Sequence, residues 1–175
     1  NITFAQANLM RSYYETKDYA NAVIYTDKVI ANPKTDNKIK SDAQIIVARS
    51  AIKANDETKA KAAYSKLLVI AKGELAAEAL YYDAYFKNKE EKYLESNKVV
   101  QKIAKEYSGY QYFGSKSLIV MAKNYFQLND SYQATSILTS VIENFTDFQD
   151  VIDEATTELE IIKSEEAKTN SSIIK

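Results

Sequence analysis

The sequence of residues 10–30 is MRSYYETKDYANAVIYTDKVI, in which a helical run is followed by a polar turn and then by a small residue. The same arrangement returns three more times along the chain. The small residues after the four turns are Ala22, Ala60, Ser96 and Ala134, at steps of 38, 36 and 38 residues. Self-similarity at such a period predicts a set of stacked helical hairpins.

The composition of the chain favours helices and gives little pull toward charged polymers. The 175 residues include 46% hydrophobic residues but only three glycines and one proline, which disfavours a β-rich fold with many turns. The formal charge of −1 provides no general attraction to nucleic acid or to an anionic membrane. No apolar run approaches the length of about 18 residues that a spanning helix needs, so direct membrane insertion is not expected.

The chain contains no histidine and no cysteine. It therefore lacks the commonest general base, the thiolate nucleophile and the usual zinc ligands. Asp147, Asp150 and Asp153 are close in sequence, but they lack the glycine-punctuated loop of a dedicated calcium site. We therefore expect no enzymatic activity, no cofactor and no metal site.

Apolar residues recur at three- and four-residue steps in nine segments, which predicts nine helices. Asp18 is expected to cap the second helix, and Pro33 is expected to stop it. Gly73 stands where a left-handed C-cap of the fourth helix belongs, and Gly109 is expected to end the sixth. The stretch that follows Gly109 is expected to run partly into the next helix. The turn of the third hairpin is expected around residues 88–90.

These segments predict one domain over residues 1–168. Its parts are repeats over residues 3–36, 41–74, 77–110 and 115–148, a capping helix over 149–167, and a flexible tail over 169–175.

Small residues at a constant place in each repeat have a packing role. Two helices of a hairpin approach closely only where the crossing point carries Ala, Ser or Gly. The expected crossing points are Ala48, Ala84 and Ala122 on the first helices and Ala60, Ser96 and Ala134 on the second helices.

The order of large residue, small residue, tyrosine, polar turn with aspartate, aromatic residue, alanine and apolar pair resembles the tetratricopeptide repeat, a unit of about 34 residues. Residues 10–30 match it best, followed by residues 118–142. The sequence departs from the pattern at Met10, where a small residue is usual, at Lys87, where an aromatic is usual, and at Ser131, which is an added residue. Related helical-hairpin repeats remain the second choice.

The resemblance implies a right-handed α-solenoid whose first helices line a concave face that binds peptides or proteins. On this register Arg11, Arg49 and Lys123 share one position on the concave face. Asp42 and Glu78 also lie on this face, at another position of the repeat. A row of cations suits an acidic or carboxylate-ended peptide, because guanidinium groups bind carboxylates with two hydrogen bonds. The alternative is that these are ordinary solvated cations.

Aromatic residues form the second group of candidate binding residues. The chain has fourteen tyrosines and no tryptophan, and tyrosine is frequent at recognition surfaces. Most of the tyrosines are explained by packing between helices, and Tyr81 and Tyr85 are the expected exceptions. The register also places Tyr14 and Phe126 on the concave face.

The expected function is a non-enzymatic scaffold that binds a peptide or protein partner. The alternative is a subunit of a bacterial envelope assembly that uses the solenoid ends or the convex face. The repeats are similar to those of Bacteroidetes-type tetratricopeptide proteins, which implies a periplasmic or outer-membrane-associated location, with the cytoplasm as the alternative. The start at Asn1, without an initiator methionine, suggests a processed protein or an excised domain. The oligomeric state stays open.

Overall fold

The computed structural model describes the backbone of residues 2–173 and the side chains of residues 2–169. This part of the chain contains nine helices and no strand, so the predicted all-α helical-repeat fold is confirmed. The helices are α1 (Ile2–Glu15), α2 (Tyr19–Ala31), α3 (Asn37–Lys53), α4 (Glu57–Ile70), α5 (Gly73–Lys89), α6 (Tyr93–Glu106), α7 (Gln111–Gln127), α8 (Ser131–Asn144) and α9 (Gln149–Ile173).

The chain divides into two compact units, residues 1–82 and residues 83–175, where the sequence predicted one domain over residues 1–168. The boundary lies within α5. In the first unit, α1 packs on α2, α2 on α3 and α3 on α4. In the second unit, α6 packs on α7, α7 packs on α8, and α9 covers both α7 and α8.

Every hairpin turns through one residue with a left-handed backbone. The φ angle is 63° at Lys17, 56° at Asn55, 59° at Glu91 and 62° at Asn129. In each turn the following backbone N–H donates to the carbonyl five residues earlier, at 2.8–2.9 Å, which satisfies a helix-end carbonyl in a Schellman motif. The third turn consists of Glu90 and Glu91 and overlaps the predicted residues 88–90 only at Glu90, because α5 continues to Lys89.

An aspartate caps the second helix of three hairpins. The carboxylates of Asp18, Asp56 and Asp130 accept from the backbone N–H three residues further on, at 3.0–3.2 Å. The predicted cap at Asp18 is therefore confirmed, and such a cap contributes about 1 kcal/mol. The third hairpin has Lys92 at this position, where no side chain caps the helix.

The residues at the repeated crossing points are all fully buried. They are Met10, Ala48, Ala84 and Ala122 on the first helices and Ala22, Ala60, Ser96 and Ala134 on the second helices. In the third hairpin the Ser96 hydroxyl donates to the carbonyl of Ala84 at 2.8 Å, which shows how close the two helices come. Met10 fits because its unbranched thioether chain adapts to irregular space. The packing role predicted for these positions is confirmed.

A buried asparagine connects three helices of the second unit. Asn124 on α7 is fully buried. Its Oδ1 accepts from the Asn88 amide at 2.7 Å, and its Nδ2 donates to the Ser96 hydroxyl and to Oδ1 of Asn97, both at 2.8 Å. Because burying an amide without partners is costly, this set of bonds fixes how α5, α6 and α7 meet.

Helix ends agree with the sequence at some positions and differ at others. α2 ends at Ala31, shortly before Pro33, as predicted. Gly73 has a left-handed φ of 60°, but it is the first residue of α5, and α4 already ends at Ile70. α6 ends at Glu106, before Gly109. The left-handed conformation predicted for Gly73 is therefore confirmed, but neither glycine is the C-cap of a helix.

The C-terminal helix is longer than the sequence predicted. α7 begins at Gln111, so the stretch after residue 109 enters a helix as expected. α9 continues to Ile173, so the flexible tail predicted over 169–175 is helical over 169–173, and residues 174 and 175 lie outside the described residues. Val151, Ala155 and Ile162 of α9 are buried in the core of the second unit, which confirms the predicted apolar face of this helix.

Candidate functional site

Each of the three predicted groove cations forms an ion pair with a carboxylate of the chain. The Arg11 guanidinium lies 2.6 Å from a carboxylate oxygen of Asp42. Arg49 donates from Nε to Oε1 of Glu78 at 3.0 Å and from Nη2 to Oε2 at 2.6 Å. The two arginines therefore already pair with carboxylates on the first helix of the following hairpin, within the same unit.

Lys123 shows the same arrangement in the second unit. Its ammonium lies 3.3 Å from Glu158 and 3.8 Å from Glu154, both on α9. Glu154 also pairs with Lys116 of α7. The side chains therefore connect α7 to α9 as the arginines connect the first helices of the first unit.

The ion pairs follow the repeat register. The partners are separated by 31 residues for Arg11 and Asp42 and by 29 for Arg49 and Glu78. Sequence reasoning placed all four residues on the concave face but treated the cations as free. The signal that was missed is an acid that follows each arginine by 29 or 31 residues, about two helical turns before the matching position of the next repeat.

The Arg49 and Glu78 pair includes a buried tyrosine. The Glu78 side chain is only 4% exposed, and the Tyr64 hydroxyl donates to its Oε1 at 2.9 Å. The Tyr64 ring stacks on Tyr82, with centroids 4.1 Å apart. The hydrogen bonds that Arg49 donates to Glu78 raise the pKa of Arg49. Burial, followed by the Glu78 charge, raises the pKa of Tyr64. Arg49 is thus held by the core of the first unit.

Tyr14 belongs to a small surface cluster in the first unit. Its half-buried ring lies 5.6 Å from the Tyr19 ring, and the Lys53 ammonium lies over both rings, 5.4 Å from Tyr14 and 4.4 Å from Tyr19. Lys53 also donates to the Tyr19 hydroxyl at 2.6 Å, and this hydrogen bond raises the pKa of Lys53. The ring of Tyr14 therefore already has a cation of the chain above it.

The two tyrosines predicted as recognition residues differ in exposure. Tyr81 is only 7% exposed and packs edge-on against Tyr82, with centroids 4.8 Å apart. The prediction that Tyr81 is available on a groove is wrong, because its ring is part of the packed interior. Tyr85 is half-buried, and the Lys89 ammonium lies 5.5 Å from its ring.

Lys123 and Phe126 come together in a cleft of the second unit, which we call the α7–α9 cleft. Its first cavity has a volume of about 270 Å³ and is lined by Asn88, Tyr93, Lys123, Phe126, Gln127 and Glu158. An adjoining cavity of about 390 Å³ shares Phe126 and Gln127 with it and is also lined by Glu165 and Glu166. Tyr93 and the acids of α9 were not among the predicted binding residues.

Two other cavities have different chemistry. A cavity of about 450 Å³ in the first unit lies where α3 and α5 begin and α4 ends, and Lys38, Asp42 and Ile70 are among its lining residues. A cavity of about 260 Å³ in the second unit is lined mainly by apolar residues such as Ile103 and Phe145. None of the seven predicted binding residues lines either of them.

The described residues contain no group of three or more acidic side chains placed to hold a metal ion. No helix in the same part of the chain is long and apolar enough to cross a membrane.

A comparison with protein-family models gave no match, and a comparison with curated proteins gave none either.

Proposed function

We propose that this chain is a non-enzymatic protein-interaction scaffold of the tetratricopeptide-repeat type, with a right-handed superhelix. The repeat assignment is supported by the eight buried crossing-point residues and by the four left-handed turns at one register position. Both features repeat with the period that the sequence resemblance is based on. Repeats of this type commonly serve as binding surfaces.

The α7–α9 cleft is the observation that carries the binding role. Phe126 and Lys123 were both predicted to face the concave side, and they line one cavity together with Tyr93. Concave sites that combine aromatic rings with a few polar groups are typical binding sites. The proposed partner is a peptide or a protein segment that lies along this cleft.

An acidic or carboxylate-ended partner is not favoured by the contacts of the cations. Arg11, Arg49 and Lys123 would each have to leave a carboxylate of the chain before they bound one from a partner. Breaking a partly buried ion pair costs free energy that the new contact only replaces.

A displayed library of random peptides tests the binding role. We expect the wild-type chain to enrich peptides whose binding is lost in Gln127→Trp, because Gln127 is exposed and is shared by both cavities of the cleft. Gln101→Trp, which changes an exposed glutamine of α6, is the matched control. If no peptide is enriched, or if the two variants bind equally well, the α7–α9 cleft is not a binding site.

A second candidate function is self-assembly through the outer face of the first hairpin. Leu9 is 40% exposed, whereas Val47 and Met121 at the same register position are each only 9% exposed. Ala5 is exposed as well, whereas its counterparts Ala43 and Ser117 are buried. Leu9 and Ala5 are thus exposed at positions that are buried in the second and fourth repeats, and a second copy of the chain that packed there would cover them. An envelope location would suit such an assembly, and it is supported by the sequence resemblance alone.

Light scattering over a range of concentrations tests this second candidate. We expect self-association that Leu9→Glu abolishes, while Glu15→Gln, at an exposed position of the same helix, leaves it unchanged. A strict monomer at all concentrations would rule out assembly through this face.

A further inference from the structure

We propose that the α7–α9 cleft binds a basic segment of the partner and holds a lysine or arginine side chain between two aromatic rings and the carboxylates of α9. This inference rests on the proposed binding role of the cleft and adds the chemical class of the partner. The proposed partner is basic, whereas the row of cations suggested an acidic partner.

The charges that line the cleft carry the first step of the argument. Glu158, Glu165 and Glu166 line the two cavities, and Lys123 is the one basic residue among the lining side chains of residues 2–169. The Lys123 ammonium is already 3.3 Å from Glu158. Negative charge is therefore in excess, which attracts a cation and repels acidic peptides and phosphate backbones.

The carboxylates differ in how far they are already neutralised. Glu165 pairs with Lys168 at 2.7 Å on the exposed surface of α9. Glu166 is half-buried at the edge of the same cavity and has no ion-pair partner among the described side chains. A basic side chain that enters the cleft therefore finds at least one carboxylate that none of the described cations occupies.

The aromatic rings carry the second step. Tyr93 and Phe126 both line the first cavity and are both half-buried, so part of each side chain is open to it. The face of an aromatic ring attracts an ammonium or guanidinium group. Aromatic rings beside carboxylates distinguish a lysine or arginine from a neutral apolar residue, because only the cation gains from both.

Fluorescence anisotropy with three synthetic peptides tests the proposal. The peptides have equal length and differ only in that they carry lysines, glutamates or neither. We expect the lysine peptide to bind most tightly and to weaken as the salt concentration rises, because salt screens surface charges. Tighter binding of the glutamate peptide or of the neutral peptide would overturn the proposal.

Variants of α9 locate the site. We expect the double variant Glu165→Gln and Glu166→Gln to bind the lysine peptide about tenfold more weakly, through the loss of two surface charge interactions. The double variant Glu143→Gln and Glu160→Gln removes the same charge at exposed positions outside the cleft and is the matched control. Equal losses in the two double variants would show that the attraction is general and not due to the cleft.

Two further variants separate this proposal from its opposite. Lys123→Met removes the one cation among the described lining residues, so we expect the lysine peptide to bind about threefold more tightly. A site for acidic partners would instead lose affinity.

Phe126→Leu keeps an apolar side chain but removes the ring, and we expect the lysine peptide to bind about threefold more weakly. An unchanged affinity in Phe126→Leu would show that the ring does not contribute to binding and would overturn the aromatic part of the proposal.

The result of the peptide library keeps the two proposals apart. If the library yields Gln127-dependent peptides without lysine or arginine, the binding role stands and the basic partner is wrong. If neither the library nor the three peptides bind, both proposals are wrong.

Discussion

Arg49 and Glu78 form a two-pronged ion pair, with hydrogen bonds of 3.0 and 2.6 Å, between two first helices of the first unit. The carboxylate is buried and the guanidinium reaches the surface, with 41% of its side chain exposed. The pair also supplies the acceptor for the buried hydroxyl of Tyr64. A residue that the sequence presented as a binding residue therefore contributes to the stability of its unit.

The first prediction concerns the removal of each partner of this pair. Arg49→Met leaves a buried carboxylate without a cation, so we expect a loss of about 2 kcal/mol, below the cost for a fully buried pair. Adding Glu78→Gln removes the uncompensated charge and keeps an acceptor for Tyr64, so we expect the double variant to recover about 1 kcal/mol. Urea unfolding followed by circular dichroism measures both values.

The control for this cycle is Lys61→Met, which changes an exposed cation of the same unit, and we expect it to change the stability by less than about 0.5 kcal/mol. If the double variant lost as much stability as the two single variants together, the pair would not be coupled.

The helices and their crossing points could be predicted because they depend on local pattern. Helix periodicity and turn residues act within a few positions, and the small residues recur at a constant step. The crossing residues Ala60 and Ser96 are fully buried as that step required. The α5 turn was misplaced because its left-handed residue is Glu91, a residue type that seldom marks such a turn.

The roles of the charged and aromatic residues could not be predicted in the same way. Whether Arg49 is free depends on Glu78, which lies 29 residues away on another helix, and single-repeat reasoning does not compare the two. The sequence register predicted that Tyr81 and its counterparts in the other repeats face the groove, but all of them are buried, and the Tyr81 ring packs beside Tyr82. A double substitution of Arg49 and Tyr81 would therefore change the stability of the first unit, and a loss of binding in it would not identify a binding site.

The second prediction is a loss of stability at alkaline pH through Tyr64. Burial raises the pKa of Tyr64 in the folded chain above its ordinary value of about 10. Its contribution is therefore complete below pH 10 and is lost as the pH rises further, because only the unfolded chain then releases the proton. We expect the free energy of unfolding to fall more steeply above pH 10 in the wild type than in Tyr64→Phe.

Urea unfolding between pH 8 and about pH 11 measures this difference. Tyr132→Phe changes a tyrosine that is 80% exposed and should follow the wild type over the whole range. A constant difference between the wild type and Tyr64→Phe would show that the buried hydroxyl does not resist ionisation.

The third prediction compares two alanines of α4. Ala60 is fully buried at a crossing point, whereas Ala62 is exposed on the same helix. Ala60→Leu inserts a large side chain between α3 and α4, so we expect a loss of about 2 kcal/mol from overpacking. Ala62→Leu changes the same residue type in solvent and should cost less than about 0.5 kcal/mol. Thermal unfolding of both variants measures the contrast, and equal melting temperatures would contradict the packing role of Ala60.

The fourth prediction is a stabilising substitution in the turn between α5 and α6. Glu91 has a φ of 59°, a left-handed conformation that costs a non-glycine residue about 1 kcal/mol or more. Glu91→Gly removes this strain, and the larger entropy of glycine in the unfolded chain offsets part of the gain. We expect a net stabilisation of about 0.5 kcal/mol, measured by urea unfolding. Glu90→Gly, one residue earlier and without a left-handed φ, should destabilise the chain instead. If both variants were destabilising, the strain at Glu91 would be too small to matter.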